Sequence, residues 1–222
     1  MVRVLVVTCT GTGVGKTVVT AAVAALAPSV TVVKPAQTGV TAGEAGDLQE
    51  VVRRAGAHVR TVELARYPDP LSPEAAARRV GAEPLTCQDV TAAVQACSTS
   101  LVLIEGAGGL LVRFAPTGLT VADMARALDA PVVVVVSAGL GTLNSTALTL
   151  EALAARDLAC PGLVIGSWPA APDLAARSNI ADLRAMAPLL GAVPEGGHGH
   201  PREWLAPQLG GSFDADRFAA QW

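Results

Sequence analysis

The chain has 222 residues, of which 51% are hydrophobic and 16% are charged, and its formal net charge is −3. This length is enough to bury a full core, and the composition excludes a disordered, fibrous or nucleic-acid-wrapping polypeptide. The cationic residues are scattered along the chain, so no basic stripe predicts binding to DNA, RNA or an anionic membrane.

Buried strands and amphipathic helices alternate along the sequence. Continuous β-branched runs predict strands that are buried on both faces, at 2–8, 30–33, 101–104, 132–136 and 162–165. Segments with helical spacing of apolar residues lie between them, at 17–26, 48–55, 86–96, 121–128, 143–155 and 174–186. This alternation predicts one α/β domain over 1–222, with a three-layer, doubly wound and mostly parallel sheet and helices on both faces. The region 191–211 is rich in Gly, Pro and His, which predicts loop and short helix at the surface.

Neither a membrane helix nor a cleaved leader is expected. The longest apolar stretches are far shorter than the roughly 20 residues that span a bilayer. The four cysteines lie far apart without a C-x-x-C pair, which favours free thiols and a cytoplasmic protein.

Lysine is scarce: the two lysines, Lys16 and Lys34, both fall inside motifs that indicate chemistry.

A glycine-rich turn joins the first predicted strand to the first predicted helix, at residues 8–17 with the sequence TCTGTGVGKT. The backbone N–H groups of such a turn and the helix dipole together form a cradle for phosphate. We expect Lys16 to contact the β- and γ-phosphates of a nucleoside triphosphate and the Thr17 hydroxyl to ligate Mg²⁺. Thr10 stands where the usual loop begins with glycine, so the loop is a variant. The alternative is a glycine-rich turn with an exposed lysine.

Two more segments place charged side chains at the ends of predicted strands. Lys34 begins KPAQTG at 34–39, at the edge where open α/β sheets bind ligands, and it is a candidate cation for an anionic substrate group. A surface lysine is the alternative. Glu105 begins EGAGGL at 105–110, and a carboxylate in this position commonly holds Mg²⁺ or its water shell. The alternative is a carboxylate that accepts hydrogen bonds from the following turn.

The other candidate residues are more ambiguous. Asp47 fits either a metal ligand or the start of a capping box with Glu50, and spacing alone does not decide. His198 and His200 are interpreted as loop histidines, because a metal site would need further ligands nearby. Cys9 lies between strand and helix, where the pKa of a thiol can be depressed, but no base follows it.

Four segments in this order and spacing resemble the dethiobiotin synthetase family, and the resemblance covers about residues 2–194. They are TGTGVGKT at 10–17, KPAQTG at 34–39, EGAGGL at 105–110 and LGTLN at 140–144. The resemblance implies a fold like that of the P-loop NTPases. It also implies a ligase that uses ATP, Mg²⁺ and CO₂ to close a ureido ring on 7,8-diaminopelargonic acid.

The resemblance further implies roles for the residues that match the family's motifs. The catalytic roles fall on Thr12, Lys16 and Lys34, and Mg²⁺ is held directly or through water by Thr17, Asp47 and Glu105. The nucleotide is bound by Gly13, Val14, Gly15, Lys16, Thr17, Gly166, Pro194 and Glu195. The diamine is bound by Thr38, Gly108, Gly109, Leu143 and Asn144. In the family, the segment with the last two residues comes from the partner subunit of a homodimer.

Two positions depart from the family pattern. Cys9 stands where the family usually has glycine, which would be costly if the backbone there required a positive φ. Gly166, followed by Ser167 and Trp168, stands where family members commonly have an asparagine that reads adenine. This departure predicts poor discrimination between ATP and other nucleoside triphosphates.

Two other classes of protein have a related nucleotide-binding domain. A partition or septum-site ATPase carries an additional lysine in its loop, where this chain has Gly11 and Thr12. Such an ATPase also often ends in an amphipathic membrane helix or shows a basic surface, and residues 214–222 offer neither. A glutamine-dependent ligase of cobalamin synthesis needs an amidotransferase domain, for which 222 residues leave no room.

Overall fold

The computed structural model describes residues 2–197, and a parallel sheet forms its centre. The strands of this sheet are β1 (Arg3–Cys9), β2 (Val30–Lys34), β4 (Arg60–Glu63), β6 (Leu101–Glu105), β7 (Val132–Val136), β8 (Leu163–Trp168) and β9 (Leu189–Pro194). They pair in the order β4-β2-β6-β1-β7-β8-β9, each pair in parallel. Two short strands, β3 (Gln37–Thr38) and β5 (Arg66–Tyr67), pair separately.

Helices cover both faces of the sheet. They are α1 (Lys16–Leu26), α2 (Asp47–Ala55), α3 (Pro73–Val80), α4 (Cys87–Gln95), α5 (Val121–Ala127), α6 (Thr142–Ala154) and α7 (Leu174–Met186). Buried side chains of α1 and α2 belong to one apolar cluster, and those of α3 to α7 belong to another. The prediction of a three-layer, doubly wound α/β fold is therefore confirmed.

Burial on both faces explains why the strands read as continuous apolar runs. All five valines of β7 are buried. In β1, Leu5 and Val7 pack into the cluster of α1 and α2, whereas Val6 packs into the cluster on the other face. Because successive side chains of a strand point to opposite faces, both sets must be apolar.

The order of the strands determines where the site lies. β1 is central, with β6 and then β2 on one side and β7 on the other. The chain therefore leaves β1 at a switch point of the topology, where open α/β sheets form a crevice at the carboxyl ends of the strands. The glycine-rich turn, Lys34 and Glu105 all lie at this edge.

Several elements escape the sequence patterns. The six predicted helices and five predicted strands are present, with ends shifted by at most one residue except at β8, which ends three residues later than predicted; β3, β4, β5, β9 and α3 were not predicted. The prediction of loop from 191 onward is wrong for 191–194, because these residues belong to β9 and pair with β8. A short 3₁₀ helix, Glu195–Gly197, follows as expected. The rest of that region, with His198 and His200, lies outside the described residues, so a single domain over 1–222 stays a prediction.

Within 2–197, no helix combines the length and the apolar character needed to cross a membrane.

Candidate functional site

The glycine-rich turn has the backbone of a phosphate-binding loop. Gly13 has a φ of +77° and Gly15 a φ of +94°, a left-handed conformation that favours glycine. Gly15 is the N-cap of α1, and no side chain caps this helix. The N–H groups of the first turn of α1 therefore lack a side-chain acceptor, and a phosphate would provide one.

The end of β8 supports this loop through a close backbone contact. A Cβ atom added to Gly15 would lie 2.3 Å from the Gly166 carbonyl oxygen, and one added to Gly166 would lie 1.9 Å from the Val14 carbonyl oxygen. Such distances are far below van der Waals contact. Position 166 therefore excludes any side chain, including the asparagine common in the family, unless the loop shifts.

A cavity of about 410 Å³ opens beside the loop, within the size range of small-molecule sites. Many of the residues expected from the sequence line it: Thr12, Gly13, Val14, Gly15, Lys16, Thr17, Lys34, Thr38, Asp47 and Gly108. The phosphate-binding loop and the KPAQTG segment thus face the same space.

The carboxylate of Glu105 connects the two lysines. Its Oε1 atom accepts hydrogen bonds from Thr17 Oγ1 at 2.8 Å and Lys34 Nζ at 2.9 Å, and Lys16 Nζ lies 3.4 Å away. Lys34 Nζ also donates to Asp47 Oδ2 at 2.5 Å and to the Gly106 carbonyl oxygen at 3.2 Å. The alternative of a surface lysine at position 34 is wrong, since only 2% of this residue is exposed.

The charges of this network reinforce one another. Burial alone would raise the pKa of Glu105, but Lys34, Lys16 and the hydrogen bonds outweigh it and lower this pKa to about 2. Burial alone would lower the pKa of Lys34, but attraction by Glu105 and Asp47 raises it above its ordinary value. Lys34 therefore stays a cation near neutral pH and is unsuited to act as a general base.

The oxygen atoms around Lys34 fit a small, hard cation. Thr17 offers a hydroxyl, Asp47 and Glu105 offer carboxylates, and Glu105 Oε2 is buried without a hydrogen-bond partner. Residues 2–197 contain no group of three or more His, Cys, Asp and Glu side chains placed to hold a metal. The hydroxyl of Thr17 and the carboxylates of Asp47 and Glu105 are ligand types that suit Mg²⁺, which usually also keeps waters and takes substrate phosphates as ligands.

Asp47 is not the cap that the sequence allows. It is the first residue of α2, and the preceding Gly46 is the N-cap. The Gly46 N–H group donates to Gln49 Oε1 at 2.8 Å, one residue out of register with the expected capping box from Asp47 to Glu50. The Asp47 carboxylate is free of that role and points to Lys34.

Cys9 is an ordinary strand residue. It ends β1, and it is not among the described residues with positive φ other than glycine, so the expected backbone cost is absent. Its thiol donates to the Gly108 carbonyl oxygen at 3.1 Å. The depressed thiol pKa that such a place can produce does not occur, because burial raises the pKa of Cys9 and the opposing effect of Lys16 is smaller.

The remaining expected residues lie around the cavity or apart from it. Gly109 lies under the end of β1, where an added Cβ would be 3.3 Å from the Cys9 carbonyl oxygen. Pro194 pairs with Trp168, and Glu195 Oε2 accepts a hydrogen bond from the Ala170 N–H group at 3.0 Å. Leu143 and Asn144 are in the first turn of α6 and do not line this cavity.

Gln37 is a polar side chain at the site to which the sequence assigned no role. It is buried and lines the cavity together with Lys34 and Asp47. It lies in the KPAQTG segment, but an uncharged amide gives no signal of charge or metal affinity. Its position becomes informative only through its contact with α2.

Comparison with known proteins identifies the family. The model of a family described as an AAA domain matches residues 3–198. The chain is 58% identical to an ATP-dependent dethiobiotin synthetase of Streptomyces avermitilis, over 98% of both chains. It is 59% identical to one of Saccharopolyspora erythraea, over 95% of this chain and 98% of that protein. The chain belongs to the dethiobiotin synthetase family.

Solved structures of other ATPases share the fold of this family member. The cell division ATPase MinD of Pyrococcus furiosus matches with a TM-score of 0.54 and 18% identity, over 88% of this chain and 84% of that chain. A ParA family ATPase from Chlorobium tepidum matches with a TM-score of 0.54 and 14% identity, over 100% of this chain and 95% of that chain. At this identity the likeness shows the P-loop NTPase-like fold alone. It does not favour a partition or septum-site switch.

We predict that Glu105 makes stability depend on pH. Its folded pKa of about 2 lies below the ordinary value of 4.5, so its stabilising contribution is complete above pH 4.5 and is lost as the pH falls towards 2. Glu105→Gln should lower the free energy of unfolding at pH 7 by about 3–5 kcal/mol, because it leaves buried charge uncompensated. Urea unfolding of both proteins from pH 7 to 2.5 should show this difference shrinking below pH 4.5. A difference that is constant with pH would contradict the assignment.

Proposed function

We propose that this protein is an ATP-dependent dethiobiotin synthetase, a ligase that converts 7,8-diaminopelargonic acid, CO₂ and ATP into dethiobiotin, ADP and phosphate. The observation that carries the proposal is the convergence of Lys16 and Lys34 on Glu105. Lys16 belongs to the phosphate-binding loop and Lys34 to the KPAQTG segment, and both segments line the same cavity. The curated relatives, which match over nearly the whole chain, support it.

In the first step, the nitrogen of one amine of the diamine attacks the carbon of CO₂; a C–N bond forms, one C=O bond becomes a C–O⁻ bond, the proton of the amine passes to water, and a carbamate results. Lys34 is suited to stabilise this anion, because its neighbours keep it charged. All three protons of its ammonium group are donated to Asp47, Glu105 and Gly106. A carbamate oxygen must therefore replace one acceptor, and the side chain of Asp47, with 34% exposed, is the accessible one.

In the second step, a carbamate oxygen attacks the γ-phosphorus of ATP. A new P–O bond forms, the bond from that phosphorus to the β-γ bridging oxygen breaks, and ADP leaves. Lys16 and the N–H groups of the loop offset the negative charge on the phosphates, and Thr12 lies in the same loop at the cavity. Such a reaction needs positioning and charge neutralisation rather than a nucleophilic side chain.

Thr17, Asp47 and Glu105 are the residues that would hold Mg²⁺. When bound, the ion would neutralise charge on the phosphate oxygens. Asp47 is thus both a proposed metal ligand and an acceptor of Lys34, and its carboxylate links the metal ligands to the cation that would hold the carbamate.

In the last step, the second amine attacks the carbonyl carbon of the carbamic-phosphoric anhydride. The C–N bond closes the ring, the C–O bond to phosphate breaks, and the amine loses a proton. Thr38, Gly108 and Gly109 line or adjoin the cavity and would hold the diamine. No further cofactor is required.

The proposal includes a homodimer. Leu143 and Asn144 lie apart from the cavity of their own chain and would hold the distant carboxylate of the substrate in the partner subunit. A helix N-terminus such as that of α6 favours a carboxylate. Leu140 and Leu148, exposed by 92% and 59%, give this part of the surface apolar area that a second subunit would cover.

The proposal also places the protein in the cytoplasm. The four cysteines lie within the described residues and are free thiols. Free thiols fit a reducing compartment.

Replacement of Lys34 should separate chemistry from nucleotide binding. We expect Lys34→Met to lower the rate of diamine-dependent ADP release by about 10²–10³-fold, because a charge that stabilises the reacting anion is lost. Binding of a non-hydrolysable ATP analogue should be largely retained, whereas Lys16→Met should weaken both. ADP release and calorimetric titration measure the two effects, and circular dichroism checks folding. Full turnover by Lys34→Met would remove Lys34 from the mechanism, and ADP release stimulated by DNA or lipid instead of diamine would favour an ATPase switch.

The absence of a side chain at position 166 should relax the choice of nucleotide. Without an amide to read the base, we expect kcat/KM values for ATP, CTP and GTP that differ by less than about 200-fold, the range that shape alone provides. Steady-state kinetics with each triphosphate at saturating diamine and Mg²⁺ measure this ratio. An advantage of ATP by 10⁴-fold or more would show that another group reads adenine.

A further inference from the structure

The helix that presents Asp47 begins without a capping side chain of its own. Its N-cap is Gly46, which has no side chain to accept a hydrogen bond from the first N–H groups of α2. Gln49 reaches back to accept from the Gly46 N–H group at 2.8 Å, and this is a local contact at the surface. The N–H group of Asp47 itself is left for another acceptor.

That acceptor is Gln37, the first residue of β3. Gln37 Oε1 accepts from the Asp47 N–H group at 2.9 Å, and Gln37 Nε2 donates to the Thr38 carbonyl oxygen at 3.1 Å. Only 5% of Gln37 is exposed. Both ends of its amide are therefore fixed inside the protein, and they connect β3 to the first residue of α2.

Gly46 is the residue that makes room for this contact. A Cβ atom added there would lie 2.8 Å from Gln37 Oε1 and 3.0 Å from Gln37 Cδ. Its φ of −109° is open to any residue, so conformational freedom does not require glycine here. The close approach of the Gln37 amide does.

We propose that Gln37 is a positioning residue, which fixes the start of α2. It thereby directs the Asp47 carboxylate towards Lys34 and towards the other two proposed metal ligands, Thr17 and Glu105. The inference rests on the proposed function, because it assigns Asp47 to Mg²⁺. Partners that orient a metal ligand typically contribute 10–100-fold to metal affinity or activity. Gln37 acts on the metal through the backbone of Asp47, and it has no ligand role of its own.

The test is metal binding to the complex of the full chain with a non-hydrolysable ATP analogue, with Mn²⁺ as the probe in electron paramagnetic resonance titrations. We expect Gln37→Ala to raise the Kd for Mn²⁺ by about 10–100-fold. Gly46→Ala should raise it in the same direction, because the added methyl group displaces the Gln37 amide. Asp47→Asn gives the size of the effect when the ligand itself is lost.

Gln49→Ala is the matched control. It removes the other hydrogen bond at the start of α2, and because Gln49 is at the surface it should lower the melting temperature less than Gln37→Ala. It should leave the Kd for Mn²⁺ unchanged, because the Asp47 N–H group keeps its partner.

Two results would overturn the inference. One is a Kd for Mn²⁺ that is unchanged in both Gln37→Ala and Gly46→Ala. The other is a rise in the Kd for Mn²⁺ in Gln49→Ala that equals the rise in Gln37→Ala. Such a result would mean that the loss of metal affinity comes from a less stable α2 and not from the Gln37 contact. Since this titration contains no diamine, it stays informative if the wild-type chain fails to release ADP with diaminopelargonic acid. If Gln37→Ala does not fold, Gly46→Ala decides alone.

Discussion

A fully buried carboxylate, that of Glu105, is the constraint on which the site depends. An ionised carboxyl group in the interior costs several kcal/mol unless charged and hydrogen-bonding partners surround it. Here one oxygen meets Thr17 and Lys34, with Lys16 close by. These partners come from α1 and β2, so burial of this charge fixes the phosphate-binding loop relative to the KPAQTG segment. Transfer of a phosphoryl group from a nucleotide to a second substrate needs such a fixed relation.

The sheet brings these groups together through its strand order. β2, β6 and β1 are neighbours, and their carboxyl ends lead to Lys34, Glu105 and the loop. Because parallel strands end at the same edge, three segments far apart in sequence share one cavity. The Gly15 to Gly166 contact adds support from β8 on the other side. At position 166, the close backbone contact with Val14 leaves no room for a side chain while the loop keeps this position.

Sequence patterns predict the parts of this arrangement that are periodic or charged. The valine-rich strands, the helices between them and the two scarce lysines follow from burial and charge alone. β9 and α3 could not be predicted in the same way, because Gly and Pro interrupt the first and small alanines dominate the second. The role of Gln37 could not be predicted for another reason. It depends on Gly46, nine residues away, whose lack of a side chain makes room for the Gln37 amide. Spacing alone did not decide whether Asp47 is a helix cap or a metal ligand. The hydrogen bond from Lys34 shows which way its carboxylate points.

All three N–H groups of the Lys34 ammonium already donate to protein acceptors. In the proposed reaction, the carbamate would have to replace one of these acceptors. The proposed reaction requires that Lys16 and Lys34 meet the nucleotide and the second substrate in one cavity. A crystal structure of the chain with Mg²⁺, a non-hydrolysable ATP analogue, diaminopelargonic acid and bicarbonate measures this directly. We expect Lys16 Nζ within hydrogen-bond distance of a phosphate oxygen and Lys34 Nζ within the same distance of the carbamate. Diamine bound elsewhere, with Lys34 still held by all three of its protein acceptors, would contradict it.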